Sequence, residues 1–424
     1  MNIKKILISI SLLVIGLIGG YFLSDFLGLQ PKLEKDFSIK EISFDKVIPE
    51  KKLREVNTKA KNVILLIGDG MSISQISAYR LLKGGPNHRI SFDKFPYSGI
   101  VLTHSDDALI TDSASSATAY STGKKTKNRY LGLDSQKNYL ENLTETLDKH
   151  NYVSSLIATS EISHATPAAF ASHVESRWDT DKISQHLFDS KVATLLGGGR
   201  HIFITESSGG VRKDNKNLYE DLKSNTNLLT TKNELFNFDV TKDGRIFGLF
   251  ADKHLRDIDD LSNHDKEPTL SEMLEFAINR FDHYQKKGCE GFFIMAEGSQ
   301  VDWSGHVNNL QYLEREMDDL DNAVSLAYEY AMNNKDTLVI VTADHETGGL
   351  LIESEGLSYT GDKVKFSYNT DVGKGNHTGV PVPVYAYGPG AENFSGTLDN
   401  TDIYHAILKS IGVDKSTSKG SCIE

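Results

Sequence analysis

Three uninterrupted apolar runs mark the chain beyond residue 61. Val63 to Ile67 is apolar throughout and ends in Gly68-Asp69-Gly70. Gly291 to Ala296 leads into Glu297, and Thr337 to Ala343 leads into Asp344. Runs without a polar alternation suit central strands covered on both faces. Ahead of the second run, Leu270, Met273, Leu274, Ala277, Ile278 and Phe281 recur at helical spacing. Ahead of the third, Met317, Leu320, Val324, Leu326 and Ala327 give a rougher version of that pattern. Helix and strand in alternation predict an α/β fold: a central, mostly parallel sheet flanked by helices on both faces.

Each of these runs ends in a carboxylate. Ligands of open α/β sheets bind beyond the carboxyl ends of the strands, so Asp69, Glu297 and Asp344 are expected on one rim. One polar residue at a strand end is ordinary turn chemistry, and only the coincidence of three makes a site.

The N-terminus reads differently. Lys4 and Lys5 precede an apolar stretch from Ile6 to Phe22 that contains no charge. Residues 1–22 are therefore expected to be a signal peptide or an N-terminal membrane anchor, with the rest of the chain exported to the periplasm or facing outward. Residues 23–60 are charged and irregular, a tether and lead-in, and residues 61–424 form the α/β domain. The composition is that of a globular protein, with 46 basic and 58 acidic side chains and a net charge of -12. Such a surface repels phosphate backbones, which argues against nucleic-acid binding. An anionic substrate would need local help, and metal ions are the natural source. Cys289 and Cys422 lack zinc-finger spacing. They are expected as two unpaired thiols, with a bridge between them left open.

The candidate chemistry gathers in a few segments. Within Glu297 to His306, Asp302 and His306 are one helical turn apart and share a face. Asp344-His345 closes the third run, and His377 stands in a Gly-rich stretch. Alone, Asp-x-x-x-His is more often a helix cap with a surface histidine, and a lone loop histidine is usually just solvated. Together they suit two zinc-type ions. Asp302, His306 and His377 would hold one, and Asp69, Asp344 and His345 the other. Three protein ligands each leave room for substrate. The remaining oxygen ligands, Glu297 among them, suit a harder ion such as magnesium. The nucleophile candidate is Ser113 in Thr111-Asp112-Ser113-Ala114. Asp-Ser at a helix start is often only a cap. Here it would also put a hydroxyl at the positive helix end, where phosphate is attracted, and a metal could activate it without a general base.

From about Val63 to Gly390 the chain resembles the alkaline phosphatase family. The resemblance is carried by Gly-Asp69-Gly, Thr-Asp112-Ser113-Ala, His164-Ala-Thr166-Pro with Arg177 beyond it, and Leu-Gly-Gly-Gly-Arg200. The Glu297-to-His306 block, Thr-Ala-Asp344-His345 and His377-Thr-Gly complete it. It implies hydrolysis of small phosphate monoesters of broad structure through a phosphoseryl intermediate on Ser113. It implies two zinc ions, one magnesium ion and a homodimer. By the same resemblance Arg177 clamps the phosphate and Asp112 helps to orient that arginine. Asp302, His306 and His377 bind the first zinc; Asp69, Asp344 and His345 bind the second. Asp69, Thr166 and Glu297 form the magnesium shell. Some family members carry aspartate where His164 stands and lysine where Trp303 stands, near magnesium and phosphate. With His164 and Trp303 in those places, magnesium is expected to bind less tightly and phosphate to lack a cation. The short stretch from Thr347 to Asn376 implies a reduced crown or lid. The rival readings are a phosphodiesterase or sulfatase of the same superfamily, separated by Asp112-Ser113 and Arg177, and an inactive phosphate-binding surface protein, disfavoured because no ligand is missing.

Overall fold

A computed structural model of the chain describes residues 51–256, 266–355, 363–371 and 376–423. The expected signal or anchor at residues 1–22, and the tether as far as residue 50, lie outside the described residues. Among the described residues no helix is long and apolar enough to cross a membrane. Residues 51–60 form no regular element.

The strands, in chain order, begin with β1 (Asn62–Gly68), β2 (Tyr97–Leu102), β3 (Tyr152–Glu161), β4 (Thr194–Gly198) and β5 (Asn227–Leu229). Next come β6 (Ile246–Leu249), β7 (Gly291–Gly298), β8 (Thr337–Thr342), β9 (Glu346–Thr347) and β10 (Leu350–Ser354). The last are β11 (Val364–Tyr368), β12 (His377–Thr378), β13 (Val382–Tyr387) and β14 (Gly396–Asp399). Ten of them form one sheet in the order β14-β2-β13-β8-β1-β7-β3-β4-β6-β5. All pairs are parallel except those of β13, which runs against both β2 and β8.

The apolar runs occupy the middle of this sheet because they have to. Every residue of β1, β7 and β8 is buried, and only central strands are covered on both faces. The three are neighbours, with Ile67 in register with Glu297 on one side and Thr342 on the other. Their ends therefore open onto one rim. The reversed direction of β13 places its start, not its end, on that same rim, and His377 lies just upstream.

The predicted helices are present. Leu270–Asn279 starts at a capping box in which Thr269 and Glu272 satisfy each other's backbone N–H. It buries Leu270, Met273, Leu274, Ala277 and Ile278, as the spacing requires. Leu310–Asn333 buries Met317, Leu320, Val324 and Ala327, while Leu326 is only partly covered. The described part of the stretch after Thr347 is a small hairpin, β10 paired with β11.

One expectation fails. Cys289 and Cys422 are not free thiols: they are joined, with a Cα–Cα distance of 5.3 Å. The tail docks beside β7, where Lys419 and Gly420 donate backbone N–H groups to Lys149 O and Lys419 pairs with Glu290. With the cysteines 133 positions apart, only this tertiary docking reveals the pair.

Candidate active site

Ser113 opens the helix Ser113–Thr122, capped by the Asp112 side chain, which accepts from Ser115 N at 3.0 Å. The same carboxylate accepts from Arg129 N at 3.1 Å and from Arg177 Nη1 at 3.1 Å. Capping and arginine alignment are thus one job for Asp112. Arg177 Nη2 donates to His164 Nε2 at 3.3 Å, so guanidinium and serine flank the same positive helix end. Ser113 is buried, and its Oγ lies 3.1 Å from His345 Nε2.

The acidic and imidazole groups form three clusters, in each of which the ligating atoms lie within 4.8 Å of one another. They are Asp302 with His306 and His377, Asp69 with Asp344 and His345, and Asp69 with Glu297 and His164. Asp302 and His306 share the helix Gln300–His306, with Oδ2 and Nε2 3.1 Å apart. His377 joins them because β12 pairs with β9, His377 opposite Thr347. Its Nδ1 donates to Thr111 O at 2.9 Å, and its Nε2 lies 3.7 Å from Asp302 Oδ1. Thr347 Oγ1 donates to Asp302 Oδ1, and so accepts from His345 Nδ1 at 3.2 Å. That fixes the His345 tautomer too, with a lone pair on Nε2 beside Ser113, Asp69 and Asp344. Gly70 makes the crossing between the clusters, with φ +72; a Cβ there would lie 2.8 Å from Asp302 Cα.

The atoms facing these clusters are conspicuously unpaired. Both Asp69 oxygens, Asp344 Oδ2, Glu297 Oε1 and Thr166 Oγ1 are buried without a hydrogen-bond partner. Buried polar groups are rarely left so, and divalent cations are the fitting partners. All three clusters mix imidazole and carboxylate, and beside the third the Thr166 hydroxyl adds a further oxygen close to Glu297. His164 fits a cation less well than the rest. Because Arg177 donates to its Nε2, the neutral ring carries its proton on Nδ1.

The charges on these groups agree with that reading. Burial, then Asp344, Asp302 and Glu297, push the Asp69 carboxyl well above its ordinary range. Burial raises Asp344 to about 6 and Glu297 to about 7. Burial would raise Asp302 too, but the hydrogen bond with His306 and then the neighbouring His377 outweigh it and hold it low. Burial first and Arg177 second lower His164 to about 3, so it adds no charge.

Sequence reasoning singled out the residues that cluster here and overlooked what holds them. Glu346 accepts from Gln75 Nε2 at 2.9 Å, from Gly349 N at 2.9 Å and from the Thr378 hydroxyl, tying the Asp344-His345 turn to the His377 strand. Gln300 donates to Leu255 O at 2.8 Å and accepts from Tyr312 at 2.6 Å, clamping the ligand helix. Their signal was only adjacency to ligands, since none of them faces a cluster. Trp303 lies on that helix with its ring roughly perpendicular to that of His164, centroids 6.3 Å apart, and also meets His254, at 4.5 Å.

Sheet topology and ligand clusters together define a metal-dependent hydrolase of α/β type. A sequence profile described as alkaline phosphatase matches residues 60–370 and 353–413. The chain belongs to the alkaline phosphatase family, metal-dependent hydrolases of phosphate monoesters. It is 34% identical to alkaline phosphatase 4 of Bacillus subtilis, over 85% of this chain and 91% of that protein. It is 30% identical to the alkaline phosphatase of Escherichia coli, over 84% of this chain and 86% of that one. The solved alkaline phosphatase of the Antarctic bacterium TAB5 is 34% identical, with a TM-score of 0.74 over 84% of this chain and 100% of that chain.

Proposed function

We propose that Ser113 is the nucleophile of this phosphatase and forms a phosphoseryl intermediate. The observation that carries the reading is the placement of its Oγ at a helix N-terminus, 3.1 Å from the His345 lone pair and flanked by the Asp112–Arg177 pair. Arg177 holds two phosphoryl oxygens through its forked donors, as lysine would not. Asp112 keeps that fork in plane. Ser113 attacks phosphorus in line, the alcohol departs on the opposite side, and water then hydrolyses the phosphoserine from the vacated side.

Zinc fits the clusters Asp302–His306–His377 and Asp69–Asp344–His345, and magnesium fits Asp69, Thr166 and Glu297. When bound, the ions supply positive charge and Lewis acidity to the phosphoryl group and its two oxygens in line. The unpaired carboxylate and hydroxyl oxygens support this assignment. A histidine-to-aspartate variant of the TAB5 enzyme is known with magnesium in a site called M3, which supports reading the oxygen-rich cluster here as the magnesium site. His164 and Trp303 line it on the phosphate side.

We further propose that the enzyme is exported, periplasmic or anchored outward, from the apolar stretch Ile6 to Phe22. The Cys289–Cys422 bridge supports an oxidising compartment. A homodimer is supported by Ile100 and Leu102, exposed on one face of β2.

The decisive experiment compares a chromogenic phosphate monoester with its diester and sulfate analogues, before and after chelation, alongside metal analysis. Monoester turnover that chelation abolishes and zinc with magnesium restores is expected. Preference for the diester or the sulfate would overturn the reading. Fractionation and sedimentation test location and assembly.

A further inference from the structure

Trp178 is the most exposed large apolar side chain among the described residues, at 68%. An indole left in water forfeits much of the burial energy that such a ring offers. Its neighbour Arg177 is the reverse, a side chain only 9% exposed. The Arg177 guanidinium carbon lies 5.3 Å from the centroid of the Trp178 ring. One face of the indole is thus backed by the guanidinium, and the remainder is open to solvent.

The backbone there is not slack. Arg177 N donates to Arg129 O at 2.9 Å, and Asp179 N donates to Ser176 O at 3.0 Å. Trp178 N donates to Ser176 Oγ at 3.3 Å, and Asp179 caps the helix Thr180–Asp189. Trp178 is therefore held one step outward from the arginine.

Under the function proposed above, the phosphoryl group sits on Arg177 with Ser113 and the buried ligand clusters beneath it. The ester substituent must extend toward solvent, and the exposed Trp178 ring adjoins the arginine that holds the phosphoryl group. We propose that Trp178 is a stacking platform for planar aromatic leaving groups, so that aryl phosphates and nucleoside monophosphates form a preferred substrate class. Stacking on an indole is tolerant of which ring is offered, because every such ring has a π-face. It also gives the leaving group a hold that the phosphate-gripping residues do not.

The inference rests on that functional reading, and the test separates the two. Steady-state kinetics on metal-loaded wild type, Trp178→Phe and Trp178→Ala would use a nucleoside monophosphate, a naphthyl phosphate and glycerol phosphate. Trp178→Ala is expected to lower kcat/KM about tenfold for both aromatic substrates, mostly through KM, as loss of one stacked ring predicts. Trp178→Phe should recover most of it. Glycerol phosphate turnover and inhibition by inorganic phosphate should stay within about twofold, since neither offers a ring to stack. The chain has two tryptophans, so wild-type minus Trp178→Phe fluorescence isolates Trp178. A nucleoside phosphonate should quench that signal and inorganic phosphate should not. An equal fall for all substrates would mean that Trp178 merely props Arg177, and would overturn the proposal. So would unchanged kinetics, or a variant whose only change is in sedimentation. If wild type hydrolysed no monoester, the proposed function itself would fall. Normal glycerol phosphate turnover without aromatic selectivity would remove this inference alone.

Discussion

The imidazole rings of His345 and His377 stack with centroids 3.5 Å apart and planes 19° from parallel. They belong to different clusters, so the two candidate cation sites share one wall. Two such rings cannot both be charged at that distance. Burial, then the His377 charge, holds the His345 ring well below its usual pKa. Each is pinned through Nδ1, His345 on the Thr347 hydroxyl and His377 on Thr111 O.

Thr347 is the residue on which this pinning can be tested, because its hydroxyl bridges His345 and Asp302. Thr347→Val keeps the shape and removes the bridge. Zinc affinity, measured by competition with a chromogenic chelator, is expected to fall about 10- to 100-fold, the usual cost of losing a group that orients ligands. Unaltered affinity would show that the stacked rings need no such support.

Replacing Ser113 with alanine should remove the covalent step and lower kcat by at least about a thousandfold, leaving slow direct hydrolysis. Acid quenching with labelled substrate should mark wild type and leave the variant blank.

Stability of the metal-free protein should depend on pH with a defined sign. Glu297 and Asp344 have folded values near 7 and 6, above the ~4 of free carboxyls. A raised value means that folding favours the protonated form, so this stability is complete below about pH 4 and is lost as pH rises through 6 and 7. Asp302, held low, stays ionised across that window. Metal-free melting temperatures should therefore fall between about pH 5 and 8, while the metal-loaded protein shows little change and the gap widens. A constant gap, read by scanning calorimetry, would contradict the raised values.

His164→Asp brings a charged oxygen ligand to Asp69 and Glu297 in place of a neutral ring committed to Arg177. Magnesium should then bind more tightly and zinc compete less well. Titration of metal-stripped protein with magnesium reads this directly, and weaker or equal binding would count against it.

Cys422→Ser opens the bridge to Cys289. A loss of about 2–5 kcal/mol is expected, typical of a native disulfide that closes a long loop. Denaturant melts in the presence and absence of reductant should converge for the variant and diverge for wild type.

Much of the fold and the site was legible in the sequence for one reason. β1, β7 and β8 are buried on both faces, so their composition announces them, and each ligand comes directly after its run. Asp302 and His306 were legible because a helix fixes their spacing. His377 was visible only as a residue type, since its place depends on the reversed β13 and the β9–β12 pairing, which no local pattern encodes. The disulfide was hidden likewise, as were Thr347, Glu346 and Gln300, whose partners are ligands and backbone rather than ions.

The centre of the sheet is assembled from distant parts of the chain. Asn62 Oδ1 accepts from Phe292 N across 230 positions, and Ser113 meets His345 across 232. Contacts so remote in sequence form late and slowly, because long loops must close before they stabilise anything. A fragment that stops short of β8 lacks His345 and His377, so neither of the clusters they complete can form in it. Cation capture at those two clusters is thus a completion signal for folding rather than a seed for it. Partly folded chains expose three strongly apolar strands that have nothing yet to pair with, and keeping such chains apart until β8 docks is the burden this arrangement places on the cell.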